Sequence, residues 1–328
     1  MTSNSPIGIL ILNHNGRQWL APLYESIRRN GYPDVRIYLV DNCSTDGSVE
    51  STLRDHPDVT VIRMPQNLGF CLAYNIAMPH AFAGGCEWVV WANNDILLEP
   101  GCLSELMRSV QTDREIGVAG PAFLSWNNDE PNYYMKGKCP DLIPAMQERS
   151  PVPADVDWVE GSFLMVNCST VEAVGSLDPR LFIFWEEAEF CRRVRYWGKR
   201  VVLVPAARVR HYGGAFSEGR RDRRRNWLHT RNYYIYTLTD PGRSFASNIL
   251  NLAHLLAANI KMWTAKRAPG FVFLEMRACA AVIMRAGVWR RKWMNDRRHI
   301  RTAGLDRKSK GIQPEILLSP SREAALAK

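Results

Sequence analysis

Residues 87–95 read Glu-Trp-Val-Val-Trp-Ala-Asn-Asn-Asp, an apolar run that ends in three polar side chains. The run at 87–92 is short and rich in valine and tryptophan, a composition typical of a buried β-strand. Comparable runs occur at 7–12, 36–40 and 59–63. Segments with a helical pattern lie between some of these runs, at 17–30 and 67–83. This alternation predicts an α/β fold with a parallel sheet covered by helices.

Polar clusters follow three of the predicted strands. They are Asn13-His14-Asn15-Gly16, Asp41-Asn42 and Asn93-Asn94-Asp95. In open α/β sheets, ligands bind beyond the carboxyl ends of the strands. The sequence therefore predicts that the three clusters converge on one crevice.

Length and composition limit the class of protein. The 328 residues can form one large domain with an appendage or two modest domains. The eight cysteines are scattered singly without a CxxC pair, which argues against a zinc ribbon or a dithiol redox motif. Residues 1–6 lack the features of a secretory signal, and the apolar segments at 245–263 and 271–289 are interrupted by polar residues. We expect a cytoplasmic protein with reduced thiols and no membrane span.

The formal net charge of +9 is distributed unevenly along the chain. Residues 1–219 contain 19 Lys and Arg against 26 Asp and Glu, a net charge of −7, whereas residues 220–310 contain 21 against 5, a net charge of +16. Such a basic block can face nucleic acid, anionic lipid or a phosphorylated substrate. The sequence has no recognisable nucleic-acid module, which argues against the first of these.

An acidic cluster, Trp185-Glu186-Glu187-Ala188-Glu189, follows two phenylalanines, Phe182 and Phe184. Acidic residues at a helix start can simply compensate the helix dipole. Three carboxylates beside aromatic rings exceed that need, and an apolar environment raises the basicity of a carboxylate. The cluster therefore suggests a general base that removes a proton from a hydroxyl.

Two further residue types suggest a divalent cation. Asp95 follows a strand and can coordinate a hard cation together with phosphate oxygens, although Asn93-Asn94-Asp95 is also favourable turn chemistry. His211 is either an ordinary surface histidine or, if its strand returns to the same sheet, a second ligand. Asp41, similarly, either forms an Asx turn or accepts hydrogen bonds from a nucleotide.

The order of these motifs resembles that of the GT-A-fold, family 2 inverting glycosyltransferases, especially bacterial rhamnosyltransferase-like and galactofuranosyltransferase-like members. The resemblance covers about residues 6–215. The matching segments are Leu12-Asn13-His14-Asn15-Gly16, Val40-Asp41-Asn42 with Ser44-Thr45-Asp46-Gly47-Ser48, Asn67-Leu68-Gly69-Phe70, Asn93-Asn94-Asp95, Gly161-Ser162, and Trp185-Glu186-Glu187 with His211. It implies a Rossmann-like mixed sheet followed by a C-terminal helical region.

The resemblance also implies a donor, a cofactor and a catalytic base. A dTDP- or UDP-sugar would bind Mg²⁺ or Mn²⁺ held by Asp95 and His211. Its remaining contacts would come from Asn13, Asn15, Asp41, Asn67, Gly69, Asn93 and Asn94. Glu187 would be the base, with Glu186 as the alternative, and Trp185 would lie on the acceptor side.

Three positions depart from the family pattern. Asn93 replaces the first acid of the D-x-D motif, so metal binding depends on Asp95. Glutamates stand at 187 and 189 where aspartates are usual, which lengthens the arm that carries the base. Cys71-Leu72-Ala73 replaces a more glycine-rich run.

The basic region leaves two interpretations open. Arg220 and Arg221 begin an arginine run that is either solvated or in contact with a donor or acceptor diphosphate. Predicted helices at about 227–239, 244–265 and 270–293 carry tryptophans beside Lys and Arg, among them Trp289 and Lys292. These helices either bind an anionic membrane surface without crossing it or form a helical subdomain or an oligomer interface.

We therefore expect a GT-A catalytic domain at 1–218, a basic helical region at 219–310 and a disordered tail at 311–328. The expected reaction transfers rhamnose or galactofuranose to a lipid-linked or polysaccharide acceptor in bacterial cell-surface glycan synthesis, at the inner face of the cell membrane. One alternative is a soluble protein or glycan acceptor, with the helices serving homo-oligomerisation. A remote alternative is a nucleic-acid-binding protein.

Overall fold

The computed structural model describes residues 6–213, 223–297 and 315–317. The strands are β1 (Ile7–Asn13), β2 (Val35–Asp41), β3 (Thr60–Arg63), β4 (Trp88–Asn93), β5 (Ile96–Leu98), β6 (Ile116–Ser125), β7 (Ala154–Asp155), β8 (Phe163–Asn167), β9 (Arg200–His211) and β10 (Glu315–Leu317). The helices are α1 (Arg17–Arg28), α2 (Ser48–Asp55), α3 (Gly69–Ala83), α4 (Cys102–Thr112), α5 (Tyr133–Lys138), α6 (Ile143–Gln147), α7 (Cys168–Val174), α8 (Glu186–Tyr196), α9 (Arg223–Leu238), α10 (Phe245–Ala265), α11 (Pro269–Ile283) and α12 (Ala286–Arg297).

The strands form one mixed sheet in the order β10-β3-β2-β1-β4-β8-β6-β9-β5, with β7 paired to β9. Strands β3, β2, β1 and β4 are parallel, as their alternation with helices predicts. Strand β8 runs antiparallel to β4, so the sheet is not purely parallel. The α/β class and the mixed sheet expected from the resemblance are confirmed.

The register of β1 aligns the polar clusters at one edge. Asn13, at the end of β1, lies opposite Asp41 of β2, and its neighbour Leu12 lies opposite Asn93 of β4. Since these strands are parallel, their carboxyl ends meet on the same side of the sheet. The predicted convergence of the three polar clusters is therefore present in the structure.

Strand β9 is longer than the sequence predicts. The apolar run at 200–204 predicts a strand that ends at Pro205, because proline cannot donate a hydrogen bond to a central strand. Instead, the register against β6 jumps from Val204 to Arg208, and the intervening residues bulge out of the ladder. The bulge accommodates Pro205 and lets β9 continue to His211.

The C-terminal helices pack on one face of the sheet. One apolar core joins residues of β1, β4 and α3 to Tyr234 and Ile235 of α9 and Cys279 of α11. The predicted helix at 270–293 is two helices, α11 and α12, separated by a turn at Met284 and Arg285. Trp289 and Lys292 are both 3 % exposed, so these two side chains fit the helical-subdomain interpretation and not the membrane-surface interpretation.

Two other sequence expectations concern loops and membrane spans. The segment 125–157 is rich in proline, asparagine and charged residues, which predicts a loop or irregular insertion, but it contains the short helices α5 and α6 and the strand β7. Across the three described ranges, every helix is too short or too polar to cross a membrane.

Candidate active site

A hydrogen-bond network joins the polar clusters at the strand ends. Asn94 Nδ2 donates to Asn13 Oδ1 at 2.7 Å, and Asn13 Nδ2 donates to Ser44 Oγ at 3.1 Å. Gly16 lies against this network, where a Cβ atom would overlap the amide of Asn94. The glycine is therefore required by close packing, and the network fixes the shape of the crevice floor.

Asp41 and Asn15 bind the loop that follows β2. The buried carboxylate of Asp41 accepts the backbone N–H of Ser44 at 3.2 Å and lies 3.6 Å from Arg63 Nε. Asn15 Oδ1 accepts the backbone N–H of Thr45 at 2.7 Å. Both side chains thus shape the loop at the predicted donor site, as the Asx-turn interpretation of Asp41 also requires.

The loop before α3 is held by Asn42. Its Nδ2 donates to Asn67 Oδ1 at 3.1 Å, and its Oδ1 accepts the backbone N–H of Leu68 at 2.8 Å. Gly69 has φ +75°, and a Cβ there would lie 2.6 Å from the carbonyl oxygen of Phe182. This position needs glycine, because the Phe182 loop docks directly on the start of α3.

Asp95 and His211 meet at the end of β9. His211 pairs with Ile96 in the β5–β9 ladder, and its Nε2 lies 3.5 Å from Asp95 Oδ1. Asp95 is 2 % exposed, and within the described chain its Oδ1 has no hydrogen-bond partner. Buried carboxylate oxygens are normally hydrogen-bonded, so an oxygen whose described contact is only this 3.5 Å ion-pair distance to His211 can also accept a ligand.

Glu160 completes this group and was missed by the sequence analysis. Its Oε1 lies 2.8 Å from His211 Nδ1 and accepts the hydroxyl of Ser162 at 3.0 Å, while its Oε2 accepts Asn132 Nδ2 at 3.1 Å. The available signal was an isolated acid in the apolar stretch 158–168, next to Gly161-Ser162. A carboxylate buried in such a stretch requires polar partners.

These carboxylates control the protonation of His211. Burial lowers the pKa of His211, but the neighbouring carboxylates of Asp95 and Glu160 outweigh burial and raise its pKa to about 10. Without a cation, His211 is therefore an imidazolium ion paired with two acids. With a cation, Nε2 would have to lose its proton, as metal binding to histidine requires.

The residues present fit a divalent cation that shares its coordination with phosphate. Asp95 Oδ1 and His211 Nε2 could be protein ligands, and Glu160 would orient the imidazole through Nδ1, as carboxylates do for metal-binding histidines. The described residues contain no cluster of three or more His, Cys, Asp or Glu side chains that could hold a metal. Diphosphate oxygens and water would have to supply the remaining ligands, which Mg²⁺ and Mn²⁺ accept readily.

The loop before α8 places two glutamates beside this group. Phe182, Phe184 and Trp185 have φ values of 68°, 74° and 69°, a left-handed conformation that is strained for bulky residues. Glu186 and Glu187 follow at the first turn of α8. The Cβ of an alanine at Gly161 would lie 3.1 Å from Glu187 Cβ. The absence of a side chain at Gly161 therefore leaves room for the side chain of Glu187.

Both glutamates have raised pKa values. Burial and the adjacent charge of Glu187 raise the pKa of Glu186 well above its usual 4.5. Burial and the charge of Glu160 raise the pKa of Glu187 to about 7. Because its pKa is about 7, the Glu187 carboxyl group can gain or lose a proton near neutral pH.

Helix α9 holds the strained loop in place. The fully buried Asn232 directs its amide nitrogen at the carbonyl oxygens of Leu181, Ile183 and Phe184, at 2.9, 2.8 and 2.9 Å. Arg231 also donates to the carbonyl oxygen of Leu181 at 3.0 Å. The C-terminal helices therefore fix the geometry of the loop that carries both glutamates.

The Asp95–His211 pair and the two glutamates at the start of α8 face one cavity of about 200 Å³. The predicted site residues that line it are Asn93, Asp95, Glu186, Glu187 and His211. Arg225 of α9 also lines it, whereas Arg220 and Arg221 lie outside the described residues. Trp185 instead stacks on Tyr233 of α9, with ring centroids 4.6 Å apart.

The arrangement can bind a cation and a phosphate beside a carboxylate that takes up a proton near neutral pH. On a sheet with a nucleotide-type crevice at its carboxyl edge, these features define a glycosyltransferase of the GT-A type. The chain belongs to glycosyl transferase family 2, and the model of that family matches residues 8–155.

Known relatives agree with this assignment. The chain is 30% identical over 230 residues to an N-acetylglucosaminyl-diphospho-decaprenol L-rhamnosyltransferase from Mycobacterium tuberculosis, over 62% of this chain and 74% of the relative. It is 26% identical to a dTDP-rhamnosyl transferase, RfbF, from Shigella flexneri, over 64% and 70% of the two chains. Among solved structures, the mannosyltransferase PcManGT from Pyrobaculum calidifontis, in complex with GDP-Man and Mn²⁺, superposes with a TM-score of 0.54 at 15% identity, over 86% of this chain and 87% of that one.

Proposed function

We propose that this enzyme transfers rhamnose or galactofuranose from a dTDP- or UDP-sugar, with inversion, to a lipid-linked or polysaccharide acceptor of a bacterial cell-surface glycan. The single observation that carries the proposal is that Asp95, His211 and Glu187 line one cavity. Two relatives bear the names of rhamnosyltransferases, which favours rhamnose. One of those names specifies a diphospho-lipid acceptor, which favours the lipid-linked alternative.

In the proposed site, the donor lies along the carboxyl edge of the sheet. Asn13, Asn15 and Asp41 shape the pocket for the nucleoside, and the loop of Asn67 and Gly69 borders it. Asn93 and Asn94 lie between that pocket and Asp95, where the sugar diphosphate would pass. Hydrogen bonds already hold the amide side chains of Asn13, Asn15 and Asn94, so these side chains would reorganise little when the donor binds.

Asp95 and His211 would hold Mg²⁺ or Mn²⁺ on the diphosphate. The cation, when bound, neutralises the charge that develops on the departing nucleoside diphosphate. The support is the Oδ1 of buried Asp95, which lies 3.5 Å from His211 Nε2 and has no hydrogen-bond partner in the described part of the chain.

Glu187 is the proposed base. Its carboxylate takes the proton of the acceptor hydroxyl while that oxygen bonds to the anomeric carbon. The bond from the anomeric carbon to the diphosphate oxygen breaks on the opposite face, so the configuration inverts. A base with a pKa of about 7 is matched to neutral pH, which favours Glu187 for this role.

The proposed location is the inner face of the cell membrane, without insertion. The net charge of +16 over residues 220–310 supports attraction to anionic lipid. Exposed apolar side chains on α11 and in the turn after it, Phe273, Ile283 and Met284, could enter the headgroup region. If the protein does not co-sediment with anionic vesicles at low salt, a soluble acceptor is the better interpretation.

A donor screen tests the proposal. The purified protein is incubated with a panel of nucleotide sugars in Mg²⁺, Mn²⁺ or EDTA, and release of the nucleoside diphosphate is measured without acceptor. We expect slow hydrolysis of dTDP-rhamnose or UDP-galactofuranose that EDTA abolishes. Asp95→Asn should weaken metal-dependent donor binding by about tenfold or more, because one charged ligand is lost. Failure to bind any nucleotide sugar, or equal binding in EDTA, contradicts the proposal.

A further inference from the structure

A second concave surface, of about 590 Å³, lies between α9 and α11, outside the catalytic cavity. We call it the α9–α11 groove. Its principal lining residues are Arg223, Trp227, Phe271, Phe273, Leu274 and Arg277. None of these residues takes part in the donor site described above.

We call the aromatic and aliphatic lining residues the floor of the groove and the two lining arginines its rim. Phe271 stacks on Trp263 of α10 with ring centroids 4.4 Å apart, so it is fixed in place. Phe273 is 68% exposed, and an exposed phenylalanine beside other apolar side chains marks a surface that binds an apolar partner.

The rim of the groove is basic. Arg223 and Arg277 line it, and no acidic residue does so in the described part of the chain. The nearby Glu275 is 5% exposed and is occupied by Trp263 Nε1, at 3.1 Å, and by the hydroxyl of Tyr234. An occupant with an apolar body and an anionic head is therefore complementary to the groove.

The groove adjoins the catalytic cavity through the first turn of α9. Arg225 lines the cavity, while Arg223 and Asn226 line the groove. Since one helical turn rises about 5.4 Å, a ligand in the groove can place its head group within reach of the cavity.

We propose that the α9–α11 groove binds the isoprenoid chain of a lipid-diphosphate acceptor, with the diphosphate between Arg223 and Arg277. This inference rests on the lipid-linked acceptor of the proposed function and assigns it a binding site. With the isoprenoid chain in the groove, the head group of the acceptor points toward Glu187. The isoprenoid chain is then itself a determinant of acceptor specificity.

Farnesyl diphosphate is a suitable probe, because it combines a short isoprenoid chain with a diphosphate. Its binding is measured by calorimetry below its micelle concentration, in EDTA to weaken competition from the donor site. We expect farnesyl diphosphate to bind about tenfold or more tightly than either farnesol or inorganic diphosphate, since each lacks one of the two contacts. Equal affinity for inorganic diphosphate contradicts a role for the apolar floor, and equal affinity for farnesol contradicts a role for the arginines.

A matched pair of variants localises the binding. Phe273→Asp should weaken farnesyl diphosphate binding about tenfold or more, whereas Leu250→Asp, at a similarly exposed residue on α10, should leave it unchanged. Both sites are exposed, so the circular dichroism spectrum should be retained. Equal binding by the two variants overturns the proposal, as does a change in oligomeric state caused by Phe273→Asp, because the groove would then be a subunit interface.

The donor screen separates the two hypotheses. Nucleotide-sugar hydrolysis by a wild-type protein that does not bind farnesyl diphosphate would refute the groove assignment and leave the proposed transferase intact. Absence of any donor binding would refute the transferase itself.

Discussion

At the scale of single residues, Glu186 and Glu187 are adjacent in sequence but differ in environment. Glu186 is 4% exposed, and its Oε2 has no hydrogen-bond partner within the described chain. Glu187 is more accessible and faces the opening left by Gly161. This difference supports the proposal that Glu187 rather than Glu186 takes up the proton, a choice that the sequence alone left open.

Replacement of the base tests this assignment. Glu187→Gln should lower kcat for sugar transfer by about 10²- to 10⁴-fold, the contribution of a general base. The amide has nearly the same shape, so the Kd of the nucleotide-sugar donor should stay within about twofold of wild type. Glu186→Gln is the matched control and should retain most of the transfer rate. Full turnover by Glu187→Gln would show that another group accepts the proton.

The pH dependence of transfer follows from the raised pKa of Glu187. The carboxylate must be ionised to act as a base, so kcat should rise with pH, reach half its maximum near the pKa of about 7, and level off above it. An unperturbed glutamate would instead give a midpoint near 4.5. A rate constant measured from pH 5 to 9 that does not change between pH 6 and 8 would contradict the role of Glu187.

At the scale of elements, α9 acts as a brace for the loop that precedes α8. Three residues of that loop have positive φ values, each of which costs about 1–3 kcal/mol in a non-glycine residue. Three carbonyl oxygens of this loop, those of Leu181, Ile183 and Phe184, accept hydrogen bonds from one buried side chain, Asn232. Because the brace comes from a helix after the catalytic sheet, the geometry of the base depends on the C-terminal helices.

Asn232→Ala should therefore impair catalysis beyond its effect on stability. Loss of the brace lets Glu187 move, and displacement of a catalytic group by about 1 Å can lower kcat on the order of 10²-fold. The KM of the donor should change little, since the proposed nucleoside site lies at the strand ends, away from Asn232.

A control for Asn232→Ala is Asn248→Ala. Asn248 is equally buried and donates to the carbonyl oxygens of Leu238 and Asp240, at 3.1 and 2.7 Å, away from the glutamates. Both variants should lose similar stability to urea, but Asn248→Ala should keep its kcat. If kcat falls equally in the two, Asn232 has only a structural role.

At the scale of the whole molecule, a buried charge cluster joins α8 to α12. Lys292 Nζ lies 2.7 Å from Glu189 Oε1 and 2.8 Å from Asp296 Oδ2, and Arg193 Nε donates to Glu189 Oε1 at 2.8 Å. All four residues are nearly inaccessible. Burial raises the pKa of Glu189, but Arg193 and Lys292 outweigh it and hold that pKa far below the usual 4.5.

Lys292→Met should destabilise the whole fold. It leaves two buried carboxylates with one cation, and removing a single partner from a buried ion pair costs about 3–5 kcal/mol. The free energy of unfolding in urea at pH 7 measures this. Lys136→Met removes an exposed ion pair with Glu130 and should cost less than about 1 kcal/mol. A loss in Lys292→Met no larger than in Lys136→Met would mean that α12 is not part of the cooperative fold.

The same buried charge cluster predicts how the stability of the fold changes as the pH is lowered. The pKa of Glu189 is lower in the folded than in the unfolded chain, so its contribution to stability is present above about pH 4.5. That contribution should fall as the pH drops below 4.5. The wild-type protein should therefore lose stability more steeply than Lys292→Met over this acidic range.

Local patterns in the sequence were sufficient for the α/β class, the first four strands and the polar clusters at their ends. Short apolar runs such as 87–92 specify strands by their composition, and parallel strands place their carboxyl ends together without further information. Asp95 and Glu187 could be chosen as site residues for the same reason, since each follows a recognisable local pattern.

Long-range contacts decided the rest, because no local pattern encodes them. Glu160 could be recognised as a site residue only from its contact with His211, which is 51 residues away in the sequence. Pro205 lies within β9 because the pairing with β6 contains a bulge at this position. Lys292 has the sequence context of a surface lysine, yet it is buried because Glu189 lies 103 residues before it and faces it across the helix packing. The sequence by itself determined the α/β class, the first four strands and the polar side chains that stand at their ends. Only the tertiary structure decided which charges are buried together, because burial and charge pairing depend on distances between elements that are remote along the chain.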